Sequence, residues 1–402
     1  MRIEWLVAFY LFVSVAMILF NFVFLAYEKA RAKRFVTKTK RLASDLSEEI
    51  ERNADFPTEA HKRILERKLR KLSGMESFDL TMQRLQELDA EKSDRYLRGI
   101  ATVFHRLTYY FAKKPDLKKA YFAYILKRWY RLRPASDTVT QTLLRFVREG
   151  SFYVRQNSLE ALASVADACA FADAVELIER GDDFHHPKLV TEAALSFAGD
   201  ADGLVAELTA RFDGLRPATQ AAVINYLRMS DSRFCDRLLL LLKEEEEDRE
   251  LRLAIVRYYR KNRYEPARET LQKLVRSSPT EGWEFAALAA LSLESYPGDD
   301  TEKVLKQALS HRNWYVRSNA AEALLNLLAR PVSELAPDLL PEVSGTAREL
   351  GDALRERGWY VSLGRPRRAV APDAPALKDV LEGEDRFARD ILRYRLEAFQ
   401  RE

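Results

Sequence analysis

Few residues in this 402-residue chain are paired in a way that suggests chemistry. Asp182–Asp183 and Asp299–Asp300 are paired carboxylates, a type of group that binds metal ions in some glycosyltransferases, and His185–His186 are neighbouring imidazoles. Each aspartate pair comes directly before a predicted helix, where aspartate also caps free backbone N–H groups. Pro187 places the histidines at a helix start too, and the sequence offers them no third ligand. We therefore expect structural roles for all three pairs.

The sequence lacks the motifs that organise common catalytic centres. It has no glycine-rich phosphate loop, no Walker lysine and no Gly-x-Ser-x-Gly elbow. Its two cysteines, Cys169 and Cys235, stand apart among predicted helices, which excludes a disulfide framework and suits a reducing compartment. We predict that the protein is not an enzyme and that it uses no cofactor and no metal.

One segment combines positive charge with aromatic residues. Residues 101–135 contain nine Lys or Arg residues and a single acid, Asp116, with aromatic side chains between them. The candidate basic face consists of Lys113, Lys114, Lys118, Lys119, Lys127, Arg128, Arg131 and Arg133. The sequence is compatible with three surroundings for this face: anionic lipid, an acidic protein partner or solvent. Nucleic acid is disfavoured as a partner because a predicted membrane anchor lies close by.

The elements that must position these residues begin with an apolar segment. Trp5–Tyr27 carries no charge, and at ~1.5 Å per residue a helix of this length spans a ~30 Å hydrocarbon core. Several Lys and Arg residues follow it, from Lys29 to Arg41, whereas only Arg2 is positive before it. The positive-inside rule predicts an uncleaved anchor at residues 1–27 in the cytoplasmic membrane, with the N-terminus outside and the bulk of the chain in the cytoplasm.

From residue 60 onward the apolar spacing is helical, no strand pattern stands out, and the sequence repeats itself. Tyr153–Leu162 recurs as Tyr315–Leu324 with seven of ten residues identical, and each copy follows an aromatic residue. Equivalent positions in weaker copies lie 32 or 33 residues apart, at Leu162, Leu195, Leu227, Tyr259, Leu291 and Leu324. Because one helix pair cannot bury its apolar face, the pairs must stack. We predict an all-α fold: a transmembrane helix followed by an α-solenoid of helix pairs.

The repeat resembles the short HEAT (PBS-lyase-like) repeats of bacterial membrane-anchored proteins, whose second helix opens with Val-Arg and continues through alanines to Ala-Leu. The signature positions here are Val154, Arg155, Lys188, Leu251, Arg252, Val316 and Arg317, all with structural roles. Lys188 replaces the family's arginine. Tetratricopeptide repeats have a similar period, but their Trp…Leu-Gly…Tyr signature is missing. Iron-dependent hydroxylases of this fold use His-Glu pairs, and none of the five histidines here precedes a glutamate.

The regions around the repeats complete the predicted domain order. A juxtamembrane helical stalk occupies residues 28–73, the HEAT-repeat solenoid 74–330, a Pro-rich extension 331–376 and a terminal helix 377–402. Six of the 14 prolines lie between Pro331 and Pro375. A terminal repeat needs a cover for its open face, so a cap folded onto the array is favoured over a free partner-binding helix.

Together these features predict a non-catalytic, membrane-tethered cytoplasmic scaffold or adaptor that binds an unknown partner protein through its HEAT-repeat surface. The resemblance to single-span bacterial HEAT proteins implies an alternative, an accessory subunit of a membrane glycosyltransferase or another envelope-polymer system. A lyase or hydroxylase site within the solenoid is a third alternative, which the missing His-Glu pairs disfavour.

Overall fold

The computed structural model describes residues 3–53, 57–130, 137–181, 184–230, 234–244, 248–277, 282–339, 346–362, 364 and 366–401. These residues form 22 α-helices and three short strands, and the chain divides into two compact units, Met1–Glu207 and Leu208–Glu402. The predicted all-α class, with an apolar N-terminal helix followed by stacked helix pairs, is confirmed.

The helices of the first unit, with the one that crosses the unit boundary, are α1 Ile3–Asn53, α2 Glu59–Leu69, α3 Leu72–Leu88, α4 Ala90–Gly99, α5 Ala101–Phe111, α6 Asp116–Trp129, α7 Asp137–Glu149, α8 Phe152–Val165, α9 Ala168–Arg180, α10 Pro187–Leu195 and α11 Ala201–Ala210. They pack in two parallel rows. The second helices α3, α6, α8 and α10 contact one another in sequence, as do the first helices α2, α5, α7 and α9. This arrangement of neighbours is that of a solenoid.

The second unit contains α12 Pro217–Ser230, α13 Cys235–Lys243, α14 Arg249–Lys261, α15 Arg268–Arg276, α16 Trp283–Ser292, α17 Asp299–Ala308, α18 Trp314–Leu328, α19 Val332–Leu339, α20 Ala347–Glu356, α21 Pro375–Leu381 and α22 Arg386–Arg401. Here α12, α14, α16, α18 and α22 form the row of second helices. Helix α21 packs beside α17, so α21 and α22 stack on the preceding pair as a further pair. The guanidinium of Arg395 on α22 fixes this contact, because it donates to Ser318 Oγ at 2.9 Å and pairs with Glu322 at 3.0 Å.

Helix α1 is continuous over 51 residues and has two different surroundings. Its apolar part is exposed and is long and apolar enough to cross a membrane, a statement of length and composition only. Its C-terminal part, which lies in the predicted stalk, packs on α3 and buries Leu46 and Ile50. The Ser77 hydroxyl of α3 donates to the Thr39 carbonyl of α1 at 3.1 Å. The end of α1 therefore occupies the first place in the row of second helices.

The Pro-rich extension contains a small folded element between α18 and α21. Its strands are β1 Arg330–Pro331, β2 Tyr360–Val361 and β3 Arg368–Val370, in the antiparallel order β1-β3-β2. Helices α19 and α20 cover this sheet through an apolar cluster that consists of Val332, Leu335, Leu350, Leu354, Val361 and Ala369. The strands are two or three residues long, too short for apolar and polar residues to alternate visibly.

Candidate functional site

The signature arginines lie at equivalent places. Arg155, Arg252 and Arg317 are each the fourth residue of their helix, α8, α14 and α18. The Arg155 guanidinium donates to the Gly150 carbonyl at 3.3 Å, five residues back. The guanidinium of Arg317 donates to the carbonyl of Arg312, also five residues back, at 2.8 Å, and to that of His311 at 2.7 Å. Arg155 and Arg317 therefore bind the turn that precedes their second helix, where carbonyl groups need hydrogen-bond donors.

The remaining signature positions divide into buried and exposed ones. Val154, Val316 and Leu251 are fully buried in the helix stack. Lys188 is instead the second residue of α10 and reaches solvent, where it pairs with Glu192 at 3.5 Å. A lysine at this place does not repeat the turn contacts of the arginines.

Two asparagines of the signature join successive second helices. The Asn157 side chain on α8 donates to the Ala120 carbonyl on α6 at 3.1 Å. In the second unit, Asn319 on α18 donates to the Ala287 carbonyl on α16 at 2.9 Å. The same residue of the repeat thus makes the same contact at both places.

Aromatic side chains from three successive second helices of the second unit gather together, four of them at or near the amino ends of these helices and Tyr394 in the middle of α22. Trp283 of α16 stacks on Tyr315 of α18, with ring centres 5.2 Å apart and planes inclined by 18°. Trp314 meets Tyr315 edge to face at 5.2 Å and Tyr394 of α22 at 6.4 Å. Phe387 lies under the Arg317 guanidinium at 5.5 Å. We call these five aromatic residues the aromatic cluster.

The aromatic cluster faces outward. Phe387 and Tyr394 are exposed, and Tyr315 exposes 56% of its surface. Because monomeric proteins rarely expose large contiguous apolar patches, a preorganised group of Trp, Tyr and Phe beside an arginine is typical of a protein-binding surface.

The equivalent place in the first unit holds a smaller group. Phe152 meets Tyr153 edge to face at 5.5 Å, and the Phe152 ring lies 5.7 Å from the His185 ring. His185 is only 8% exposed, and burial followed by the positive charge of Arg155 and of His186 lowers its pKa to about 4. The imidazole is therefore neutral at pH 7, and it fills the space beside Arg155 instead of extending an exposed aromatic surface.

The first four residues of the predicted basic face lie near the start of α6. Lys113 and Lys114 occupy the turn between α5 and α6, and Lys113 is exposed. Lys118 and Lys119 lie in the first turn of α6, where Lys119 pairs with Asp116 at 3.7 Å. One of these four cations is thus already engaged by an acid of its own helix.

The next two cations bind neighbouring helices. Lys127 Nζ lies 2.7 Å from Glu160 Oε2 on α8, and Arg128 Nη1 lies 2.7 Å from Asp79 Oδ2 on α3. The indole N–H of Trp129 donates to the other oxygen of Asp79 at 2.7 Å. Lys127 and Arg128 therefore hold α6 to the helices on either side of it.

The remaining candidate positions are partly outside the described residues, and those that are described lie at helix starts. Arg131, Arg133 and Asp182–Asp183 lie outside the described residues. Asp299–Asp300 forms the first turn of α17, and His186 caps the amino end of α10 through Nδ1. Within the described ranges, no group of three or more His, Cys, Asp or Glu residues is arranged to hold a metal ion.

The sequence carried a partial signal for the aromatic cluster. An aromatic residue precedes both strong copies of the repeat, Phe152 in the first and Trp314 in the second. Two further exposed aromatic residues of the cluster, Phe387 and Tyr394, belong to the terminal helix. The sequence did not predict that this helix lies beside Trp314 and Arg317.

The fold and these contacts define an all-α protein of repeatedly packed helix pairs. No known family model matches this chain, and no curated protein matches it. Among solved structures, human deoxyhypusine hydroxylase in complex with glycerol aligns with 74% of this chain and 95% of its own, at 17% identity and a TM-score of 0.22. A likeness this distant gives no information about a shared site or activity.

Proposed function

We propose that this chain is a membrane-tethered, non-catalytic scaffold that binds a partner protein through the aromatic cluster of the second unit. In this proposal the apolar part of α1 anchors the chain in the cytoplasmic membrane with its N-terminus outside. Both helix-pair units then face the cytoplasm.

The observation that carries the proposal is the aromatic cluster itself. Its residues come from α16, α18 and α22, so the surface exists only because three helix pairs stack in order. Tryptophan and tyrosine lose little conformational entropy on binding and contribute large contact areas, and Arg317 adds a charge at the edge. Side chains already held by stacking lose less freedom on binding, which supports affinity.

The test is recovery of a partner with the full-length protein from detergent-solubilised membranes, followed by mass spectrometry. We expect that Trp314→Ala combined with Tyr394→Ala reduces the recovered partner at least tenfold, because such residues are worth about 2 kcal/mol or more in binding. The matched control is Phe152→Ala combined with Tyr153→Ala, which removes two exposed aromatic residues from the equivalent place in the first unit.

The outcomes are distinct. A discrete partner that the control variant retains and the cluster variant loses supports the proposal, and a membrane glycosyltransferase among the recovered proteins would identify the partner class. Equal recovery with both variants, at unchanged helix content by circular dichroism, would contradict it.

A further inference from the structure

A cationic cavity lies where the end of α2 and the start of α3 meet α1. Its volume is about 190 Å³. Lys38 of α1 lines it together with Arg67 and Lys68 of α2 and Lys71 of the following turn. None of the nine lining residues is acidic, and two leucines of α1 provide an apolar wall. The cavity therefore concentrates positive charge against a surface of low polarity.

Three of the four cations have no salt-bridge partner among the described residues. Lys68 pairs with Glu49 at 2.6 Å. Lys38, Arg67 and Lys71 form no salt bridge with any residue in the described ranges. Like charges held close together repel, and a bound anion would relieve that repulsion.

Hydrogen-bond donors complete the cavity at the amino end of α3. Ser73 is 8% exposed, and its hydroxyl makes no hydrogen bond with a residue that the structure describes. No side chain caps α3, whose N-cap residue is Lys71. The Gly74 N–H donates to the Lys71 carbonyl at 3.0 Å, but the backbone N–H groups of Leu72 and Ser73 have no acceptor among the described residues. These two groups are left for another acceptor, and the dipole of a 17-residue helix favours a negative one.

Gly74 explains how these groups come so close together. A Cβ atom at this position would lie 2.0 Å from the Lys68 carbonyl oxygen. Only glycine therefore allows the end of α2 to pack against the first turn of α3. This close approach holds Arg67 and Lys71 at the same cavity as the free donors of α3.

We propose that this cavity binds a phosphate group. Its volume is below the roughly 300 Å³ at which ordinary small-molecule pockets begin, so it accommodates one charged group while the rest of the ligand lies outside. Arginine and lysine beside a helix amino end provide the donors and the charge that phosphate prefers.

The phosphate belongs either to a soluble molecule or to a lipid headgroup, and the geometry favours the soluble source. Lys38 lies eleven residues beyond Tyr27, or about 17 Å along the axis of α1. The polar layer on each side of a bilayer is only about 5–8 Å thick. With Tyr27 at the edge of the hydrocarbon core, as the proposed anchoring of α1 requires, an ordinary phospholipid headgroup ends short of the cavity.

The first arm of the experiment uses the full-length protein in maltoside micelles, which contain no phosphate. Inorganic phosphate is titrated against chloride at constant ionic strength, and binding is measured by calorimetry. We expect saturable binding that Arg67→Ala and Lys71→Ala each weaken about tenfold or more, because each removes a charged donor. Ser73→Ala should weaken it several-fold. The control is Arg63→Ala, an exposed arginine one turn away on the same helix that does not line the cavity.

The second arm identifies the source. The same protein is placed in nanodiscs of phosphatidylcholine with or without phosphatidylglycerol. Unchanged phosphate affinity in both supports a soluble ligand, whereas competition by phosphatidylglycerol that disappears in Arg67→Ala supports a lipid headgroup. The proposal is wrong if neither phosphate nor the anionic lipid binds in a way that depends on Arg67, or if Arg63→Ala weakens binding as much as Arg67→Ala.

Discussion

The two strong copies of the repeat, Tyr153–Leu162 and Tyr315–Leu324, share seven of ten residues but have different surfaces. In both, the arginine binds the preceding turn and the asparagine binds the preceding second helix. The difference comes from the neighbouring pairs: the first copy meets His185, whereas the second meets Trp283 and two aromatic residues of α22. Signature residues therefore determine how a helix pair packs, and residues outside the signature determine what its surface binds.

The largest expected effect concerns the turn contact. Arg317→Ala removes two charge-assisted hydrogen bonds to His311 and Arg312, and we expect a local loss of about 3 kcal/mol. Hydrogen exchange measured by mass spectrometry should show faster exchange over residues 311–328. Arg317→Lys should restore only part of the protection, because an ammonium group lacks the planar fork of the guanidinium.

The matched change in the first copy is Arg155→Ala, whose effect should stay within residues 150–165. Faster exchange across the whole chain in either variant, or none at the mutated turn, would contradict the idea that each arginine secures its own turn.

A smaller effect is a loss of stability at acidic pH, which we expect beside the first copy, where His185 lies, and not beside the second. Burial lowers the pKa of His185 to about 4, while an unfolded histidine titrates near 6.5. The folded state thus binds fewer protons than the unfolded state as pH falls below 6.5, so stability present above pH 6.5 is lost towards pH 4. Between pH 7 and pH 5 the loss is on the order of 2 kcal/mol.

Exchange over residues 184–195 should accelerate accordingly at pH 5, after correction for the intrinsic rate. His185→Phe removes the titrating group and should abolish the acceleration. If that variant is as acid-sensitive as the original protein, His185 is not responsible.

The smallest expected effect should be equal in the two copies. Asn157→Ala and Asn319→Ala each remove one side-chain hydrogen bond to an alanine carbonyl, worth about 1 kcal/mol. Denaturant-dependent exchange should report similar losses in α8 and α18. A difference of more than about 1 kcal/mol would show that the two contacts are not equivalent.

The helix pairs were predictable because period and signature are local properties of the sequence. The role of the end of α1 was less so: Leu42, Leu46 and Ile50 showed an apolar stripe, but a stripe does not identify the helix that covers it. The short strands of the C-terminal element left no periodic pattern. The cavity beside the uncapped amino end of α3 was not predicted either, although the sequence contains a run of basic residues over 62–71.

The candidate basic face illustrates a further limit. Composition identified a cationic segment but not the partners of its charges. Lys127 and Arg128 look like surface cations in the sequence, and the structure pairs them with Glu160 and Asp79 on other helices. Charge that is paired between helices cannot be distinguished from free charge without the tertiary contacts.

The most direct test of the scaffold proposal is site-specific photocrosslinking of the full-length protein in its native membranes. A photoreactive residue replaces Tyr315 in one sample and Tyr153 in another, since both side chains are exposed at equivalent places of the repeat. We predict a discrete protein adduct from position 315 and none from position 153. An adduct from position 153 alone, or none from either position, would contradict the assignment of partner binding to the aromatic cluster.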